Sequence, residues 1–208
     1  RAPSVLNLCR SAMESAARTI WLLSPTTRTE RRERTTLLAG KEWYEQSKYF
    51  EHAAELHAGR LSPAEDTSRI HHVKLSAGRQ KIAEAVTSTG FARPTKVIEL
   101  AGSWIDAHPP EHARDQVQRF GVQKLAETTY CISSSTVHGY KWVHEHLGID
   151  GLGLFSALAD SLAMALLFTE SAVGLFEAHS IGVRPSGHPR PQYPGRLNST
   201  IDAWADMY

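Results

Sequence analysis

Three side chains that can take part in acid–base or nucleophilic chemistry recur every four residues in the segment YCISSSTVHG. They are Tyr130, Ser134 and His138. In a helix, residues four apart lie on the same face, so a phenol, a hydroxyl and an imidazole would follow one another along it. We interpret them as one wall of a site in which Tyr130 and Ser134 donate hydrogen bonds and His138 acts as acid, base or donor. The alternatives are a nucleophile–base pair formed by Ser134 and His138, and a purely structural polar layer.

A second series of polar side chains stands near the N-terminus, where Arg10, Glu14 and Arg18 are also spaced by four. We predict that these residues form the opposite wall of the site. Arg10 and Arg18 would bind an anion, Arg28 would add a further cation, and the Glu14 carboxylate would orient His138 for catalysis. The simpler alternative is an ion pair between Arg10 and Glu14 within one helix.

Common catalytic motifs do not surround these residues. No Gly-x-Ser-x-Gly sequence contains Ser134, and neither Glu-x-x-His nor His-Glu-x-x-His occurs in the chain. Some small helical ribonucleases place an arginine four to six residues before a histidine on one helix, and no predicted helix here contains that pair. Cys9 and Cys131 match no metal or redox spacing, and we predict that both are buried, reduced thiols. We therefore predict neither a metal nor a cofactor.

Composition restricts the class of protein without naming a function. The 208 residues are 41% hydrophobic and 22% charged, as in ordinary globular proteins. A net charge of +1 gives no overall signature of nucleic-acid binding. One basic run is interleaved with glutamates, and we interpret it as a solvated helix face, with RNA contact as the alternative. The run consists of Arg28, Arg31, Arg32 and Arg34.

Hydrophobic periodicity and capping signals predict the helices that must position these residues. The segment SVLNLCRSAMESAARTIWLL has a helical pattern that Ser24-Pro25 ends. A capping box at residues 27–30 and a Ser-Pro-x-Glu signal at residues 62–65 begin two further helices. PTKVIELAGSWIDAH predicts a short helix. One longer helix is expected from about Glu111 to His146, with a strand around TTYCISSSTV as the alternative.

The most apolar segment is LFSALADSLAMALLFTESAVGLFEAH. Three acidic residues interrupt it, so it is better suited to a buried core helix than to a membrane span. We predict an all-α multi-helix bundle over residues 1–181. Residues 182–208 would form a Pro/Gly-rich arm and a short C-terminal helix that packs on the same domain through Trp204.

With these elements in place, the chain resembles a group of actinobacterial helical proteins, mostly of unknown function. Their first helix has an Arg-x-x-x-Glu motif followed by Trp-Leu-Leu-x-Pro-x-x-Arg, and a later helix has Tyr-x-x-x-Ser-x-x-x-His-Gly. The resemblance covers residues 4–40 and 120–180. The corresponding residues here are Arg10, Glu14, Trp21, Leu22, Leu23, Pro25, Arg28, Tyr130, Ser134, His138 and Gly139. It implies a helical fold and no particular activity.

A more distant similarity is to the HEPN-like helical superfamily, which includes toxin and antiviral ribonucleases and non-catalytic members. The missing arginine–histidine spacing departs from its catalytic pattern. Our first hypothesis is a cytoplasmic protein whose inter-helix pocket binds a small or anionic ligand. One alternative is a HEPN-like protein acting on RNA, with the basic run beside the pocket. The other is a non-catalytic interaction partner, such as a homodimer, with a large apolar patch outside the core.

Overall fold

A computed structural model describes residues 2–57, 59–86, 93–147, 152–181 and 193–208. Within these ranges 86% of the residues are helical and no strand is present, which confirms the all-α prediction. The α-helices are α1 (Ala2–Leu23), α2 (Arg28–Leu56), α3 (Pro63–Val86), α4 (Pro94–Ala107), α5 (Arg114–Phe120), α6 (Gln123–Val137), α7 (Lys141–His146), α8 (Leu152–Ser180) and α9 (Asn198–Ala205). Short 3-10 turns at Glu111–Ala113 and Gly195–Leu197 precede α5 and α9.

The helices belong to two compact units. One unit comprises Arg1–Thr26 and Arg93–Tyr208 and contains α1 and α4 to α9. The other comprises Thr27–Ala92 and consists of α2 and α3 packed against each other. All the predicted site residues except Arg28 lie in the first unit.

Both predicted helix starts are confirmed by their capping hydrogen bonds. At α2 the Glu30 N–H donates to the Thr27 hydroxyl oxygen at 3.3 Å. At α3 the Glu65 carboxylate accepts from the Ser62 N–H at 2.9 Å, while the Glu65 N–H donates back to the Ser62 hydroxyl at 3.4 Å. Each bond satisfies a backbone donor that the first helical turn leaves without a partner.

The single long helix predicted from Glu111 to His146 is wrong. The chain turns twice in this region, at Gly121 and Gly139, and forms α5, α6 and α7 instead. Both glycines have positive φ angles, 70° and 69°, a backbone conformation that glycine adopts without the steric penalty of a Cβ atom. The segment TTYCISSSTV lies in α6, so the strand alternative is also wrong.

The core of the first unit is formed by α1, α4, α6, α8 and α9. Its largest fully buried side chains include Phe168, Leu6, Met13, Ile20, Ile98, Ile105, Leu175 and Ile201. Trp204 of α9 is buried, and its ring meets that of Trp104 edge-on with 5.0 Å between centroids. Within the described part of the chain, one helix is apolar enough over sufficient length to cross a membrane. It spans Gly153–Ser180 in α8, and 44% of its most apolar window is buried in the protein.

Two residues of α4 hold the first turn of α6, and we call this contact the α4–α6 junction. The Asp106 carboxylate accepts the N–H of Val122 at 2.6 Å and that of Gln123 at 3.0 Å. One turn earlier, Gly102 lies so close that a Cβ atom there would be 2.8 Å from the Cα of Gln123. The junction therefore combines a charged cap with a close backbone approach, and it fixes where α6 begins.

Candidate functional site

A connected set of polar side chains joins α1 to α6, and we call Arg10, Glu14, Arg18 and Tyr130 the Tyr130 cluster. The Tyr130 hydroxyl donates to the Glu14 carboxylate at 3.3 Å and accepts from the Arg10 guanidinium at 3.4 Å. Arg18 donates to the other Glu14 oxygen at 2.6 Å. The Arg10 guanidinium carbon also lies 5.3 Å from the centroid of the Tyr130 ring, within cation–π range.

The Tyr130 phenol is held in its neutral form. Its side chain is buried, and burial raises the pKa of Tyr130 above its ordinary range. The phenol donates one hydrogen bond to Glu14 and accepts one from Arg10, so its polar capacity is used inside the cluster. Through these two hydrogen bonds Tyr130 links α6 to α1.

On the other side of Tyr130 lies a cavity of about 480 Å³ between α4 and α6, which we call the α4–α6 groove. The α4 side of the groove is formed by Thr95, Lys96, Ile98 and Glu99. The α6 side is formed by Glu127, Tyr130, Cys131, Ser134 and Ser135. The volume is within the range of small-molecule sites. Four residues of the lining carry hydroxyl groups and three are charged.

The charged side chains of the groove are two carboxylates and one ammonium. Lys96 donates to Glu99 at 2.5 Å. Glu127 accepts from Lys124 at 2.8 Å and from Gln123 at 2.9 Å. The hydrogen bond from Lys124 lowers the pKa of Glu127, so this carboxylate is ionised at neutral pH. The lining itself therefore carries a formal charge of −1, and its ammonium is already paired.

The structure brings five of the predicted site residues into one connected region of the first compact unit. Tyr130 and Ser134 line the groove. Arg10 and Glu14 contact Tyr130 from α1, and Arg18 contacts Glu14. Arg28 is exposed at the first residue of α2, in the second compact unit.

In the described part of the chain, His138 makes neither a hydrogen bond nor an ion pair with Glu14, the carboxylate that was expected to orient it. It is exposed at the C-cap of α6, where its ring centroid lies 6.0 Å from that of Tyr140. The backbone N–H of His138 donates to the Ser134 carbonyl at 3.1 Å, but among the described residues no hydrogen bond joins the His138 imidazole to Glu14 or to the Ser134 hydroxyl. Glu14 is instead bound by Tyr130 and Arg18.

Several groove residues were not anticipated from the sequence. The prediction that Cys131 is buried is wrong, because its side chain is exposed on the groove wall. The prediction is confirmed for Cys9, where burial raises the pKa of the thiol. Glu127, Cys131 and Ser134 are spaced by four and three, so they share one face of α6. That spacing was visible in the sequence.

Comparison of the chain with protein-family models, with curated proteins and with solved structures finds no match. The resemblance to actinobacterial helical proteins and to the HEPN-like superfamily therefore stays a prediction. In the part of the chain that the structure describes, no three histidine, cysteine or acidic side chains are grouped so that they could hold a metal ion.

Proposed function

We propose that this protein binds a small polar ligand in the α4–α6 groove and that the ligand is neutral or cationic. The observation that carries the proposal is a cavity of about 480 Å³ whose wall combines hydroxyl groups, two carboxylates and an apolar floor. Hydroxyls of Thr95, Ser134 and Ser135 would exchange hydrogen bonds with the ligand, while Ile98 and the Tyr130 ring would contact its carbon atoms.

The charges of the groove argue for a cationic rather than an anionic ligand. Two carboxylates, Glu99 and Glu127, line it beside a single ammonium, Lys96. Arg10 and Arg18, which were expected to hold an anion, are both engaged with Glu14 and do not line the groove. An amine entering the groove would compete with lysines in surface ion pairs, which individually contribute little to stability.

Binding without catalysis is the simpler use of this arrangement. A serine nucleophile needs a base within hydrogen-bond reach, and no such bond to Ser134 is present among the described side chains. The Tyr130 phenol is neutral and already donates to Glu14. The basic run that would support RNA contact includes Arg34, whose guanidinium is paired with Glu30 at 2.6 Å. A cytoplasmic location remains a prediction from composition.

Saturation-transfer NMR with four probes tests the proposal: putrescine, sorbitol, inorganic phosphate and acetate. We expect putrescine, and more weakly sorbitol, to bind, because the lining is acidic and rich in hydroxyls. Ser134→Trp fills the groove and should abolish the signal. The matched control is Thr128→Trp on the exposed side of α6, whose hydroxyl bonds only to the Lys124 carbonyl within its own helix. It should bind as the wild type does.

The reactivity of the Cys131 thiol gives a second measurement of binding in the α4–α6 groove that does not depend on NMR. The exposed Cys131 thiol should react with a maleimide, and saturating putrescine should slow that reaction. The proposal is wrong if none of the four probes binds, if phosphate or acetate binds better than putrescine, or if Ser134→Trp and Thr128→Trp bind equally well.

A further inference from the structure

Helix α8 has two apolar stripes, and only one of them is buried in its own fold. The buried stripe follows a four–three spacing and consists of Ala157, Ser161, Met164, Phe168, Ser171, Leu175 and Ala178. The second stripe has the same spacing on another face and is exposed; it consists of Phe155, Ala159, Leu162, Leu166, Thr169, Val173 and Phe176. A helix that is apolar on several faces is normally covered on all of them.

The exposed stripe of α8 carries large side chains over most of the helix length. Phe155 is 71% exposed, Leu166 is 53% exposed and Phe176 is 57% exposed. The one hydroxyl in the stripe, on Thr169, donates to the carbonyl of Ala165 at 2.7 Å, so its polarity is satisfied within the helix. The stripe contains no charged residue. Repeated four–three spacing of this kind is the pattern by which two helices pack along a seam.

Helix α1 runs beside α8 and continues the same surface. The two helices are parallel: near their C-termini the His179 ring lies 2.9 Å from the carbonyl oxygen of Leu23. The exposed face of α1 again has three–four spacing, in Val5, Leu8, Ala12 and Ser15, and the half-buried Thr19 continues it. Between the helices lies a groove of about 490 Å³ whose floor includes Ala16 and Ala172 and whose wall includes Phe176.

We propose that the exposed faces of α1 and α8 form the interface of a homodimer. The exposed phenylalanine, leucine and valine side chains leave on the order of 700 Å² of apolar surface per copy, close to the roughly 800 Å² per partner of a standard interface. Isolated monomers rarely expose a continuous apolar patch of this size.

A second copy of this chain fits the surface better than a different protein that would be recognised through complementary charges. A two-fold axis pairs a surface with itself, and the stripe has no charged residue that this would place against its own copy. The α1–α8 groove has one charged residue in its lining, Glu177, whose side chain is only 5% exposed. The small side chains on the floor of the α1–α8 groove, such as Ala12 and Ala16, leave room for a large side chain such as Phe176 of the other copy. Two helices from each copy would then form a four-helix packing unit.

Sedimentation equilibrium of the full chain tests the dimer directly. We expect the wild type to have twice the 23.0 kDa chain mass at micromolar concentration. Leu166→Glu and Phe176→Glu should each raise the dimer dissociation constant by at least 100-fold while leaving the helical circular dichroism unchanged, because both side chains are exposed in one copy. The matched control is Phe120→Glu on α5, since Phe120 is 68% exposed and lies outside the stripe. That variant should remain dimeric.

Cross-linking gives a second measurement that does not depend on affinity. Leu166 lies in the middle of the stripe, so it faces its own copy when the two α8 helices run parallel, the arrangement that also brings Phe176 beside the α1–α8 groove of the other copy. In a Cys131→Ser background, Leu166→Cys should form a disulfide-linked dimer under mild oxidation. Leu100→Cys on α4, whose side chain is 39% exposed and off the stripe, should not.

Three results would overturn the proposal. The first is a wild type that is monomeric up to 100 µM; sedimentation with lipid vesicles would then assign the stripe to a membrane surface, and a loss of thermal stability in Leu166→Glu would mean that another part of the same chain covers it. The second is a stripe variant that dimerises like the wild type. The third is a Phe120→Glu control that dissociates as the stripe variants do.

Discussion

Removing the Asp106 carboxylate should destabilise the first compact unit by releasing the N-terminus of α6. In the folded protein this carboxylate accepts two backbone N–H bonds, from Val122 at 2.6 Å and from Gln123 at 3.0 Å. Both are hydrogen bonds to a charged acceptor, which typically contribute about 1.5–3 kcal/mol each. The negative charge also lies at the positive end of the helix dipole, which adds roughly 0.3–1 kcal/mol.

The sum of these terms is an upper limit for Asp106→Ala. Asp106 is only partly buried, so water can reach the released N–H groups and replace part of what is lost. We expect a decrease of about 2–3 kcal/mol in the free energy of unfolding, and a fall of about 5–10 °C in Tm for a chain of this size. Asp106→Asn keeps one carbonyl acceptor but loses the charge, so we expect about half of that effect.

Urea denaturation followed by circular dichroism at 222 nm measures these differences. The control is Asp202→Ala, which removes an exposed carboxylate from α9 and should change stability by less than about 0.5 kcal/mol. If the free energies of unfolding of Asp106→Ala and Asp202→Ala differ by less than about 0.5 kcal/mol, the two hydrogen bonds of Asp106 do not hold the N-terminus of α6 and the prediction is wrong. If Asp106→Asn is as unstable as Asp106→Ala, the whole effect comes from the negative charge of Asp106.

Three further predictions concern the helices around the groove. Gly102→Ala should lower the free energy of unfolding by about 1–3 kcal/mol, measured by thermal denaturation, because the new methyl group would overlap the α6 backbone. The control is Gly78→Ala, where the methyl group would enter open space, and this variant should be as stable as the wild type or more stable. Because the pKa of Tyr130 is raised in the folded state, the neutral phenol contributes stability that is complete below pH 10 and is lost as pH rises through the folded pKa. Tyr130→Phe removes the titrating group, so in urea titrations at alkaline pH this variant should lose less stability than the wild type. An unchanged pH dependence of stability in Tyr130→Phe would refute the prediction. A thiol reagent should modify Cys131 in the native protein and Cys9 only after unfolding, and equal rates for the two would contradict their different burial.

The helices that could be predicted from the sequence are those with local start and stop signals. Short local motifs predict the starts of α2 and α3 and the end of α1. The capping residues Thr27 and Ser62 bond to groups three residues away, and Pro25 ends α1 two residues before it. The division of residues 111–146 into three helices has no comparable local cause. Gly40 lies inside an uninterrupted helix, whereas Gly121 ends one. We attribute the different behaviour of these two glycines to Asp106, whose carboxylate accepts a hydrogen bond from Val122 at the start of α6. Asp106 is sixteen residues before Val122 in the chain, so no local motif predicts this contact.

The candidate site could be predicted only in part, and the geometry of a helix explains why. Residues spaced by four do not stay on one line, because four residues turn about 400° rather than 360°. Over the eight residues from Tyr130 to His138 the drift is about 80° around the axis and about 12 Å along it. The contact of Tyr130 with Glu14 joins two helices that are 116 residues apart in the chain, and no spacing rule predicts such a pair.

The position of the α4–α6 junction has a mechanical consequence for the groove. The two helices are antiparallel and are tied where α4 ends and α6 begins, while Ser134 lies eleven residues beyond the tie at Gln123. Those eleven residues form a rigid arm of about 16 Å. A pivot of only 5° about the tied end would displace Ser134 by roughly 1.4 Å, about the radius of a water molecule. Such a pivot would change the aperture of the groove at its far end while both hydrogen bonds of the tied end stay in place.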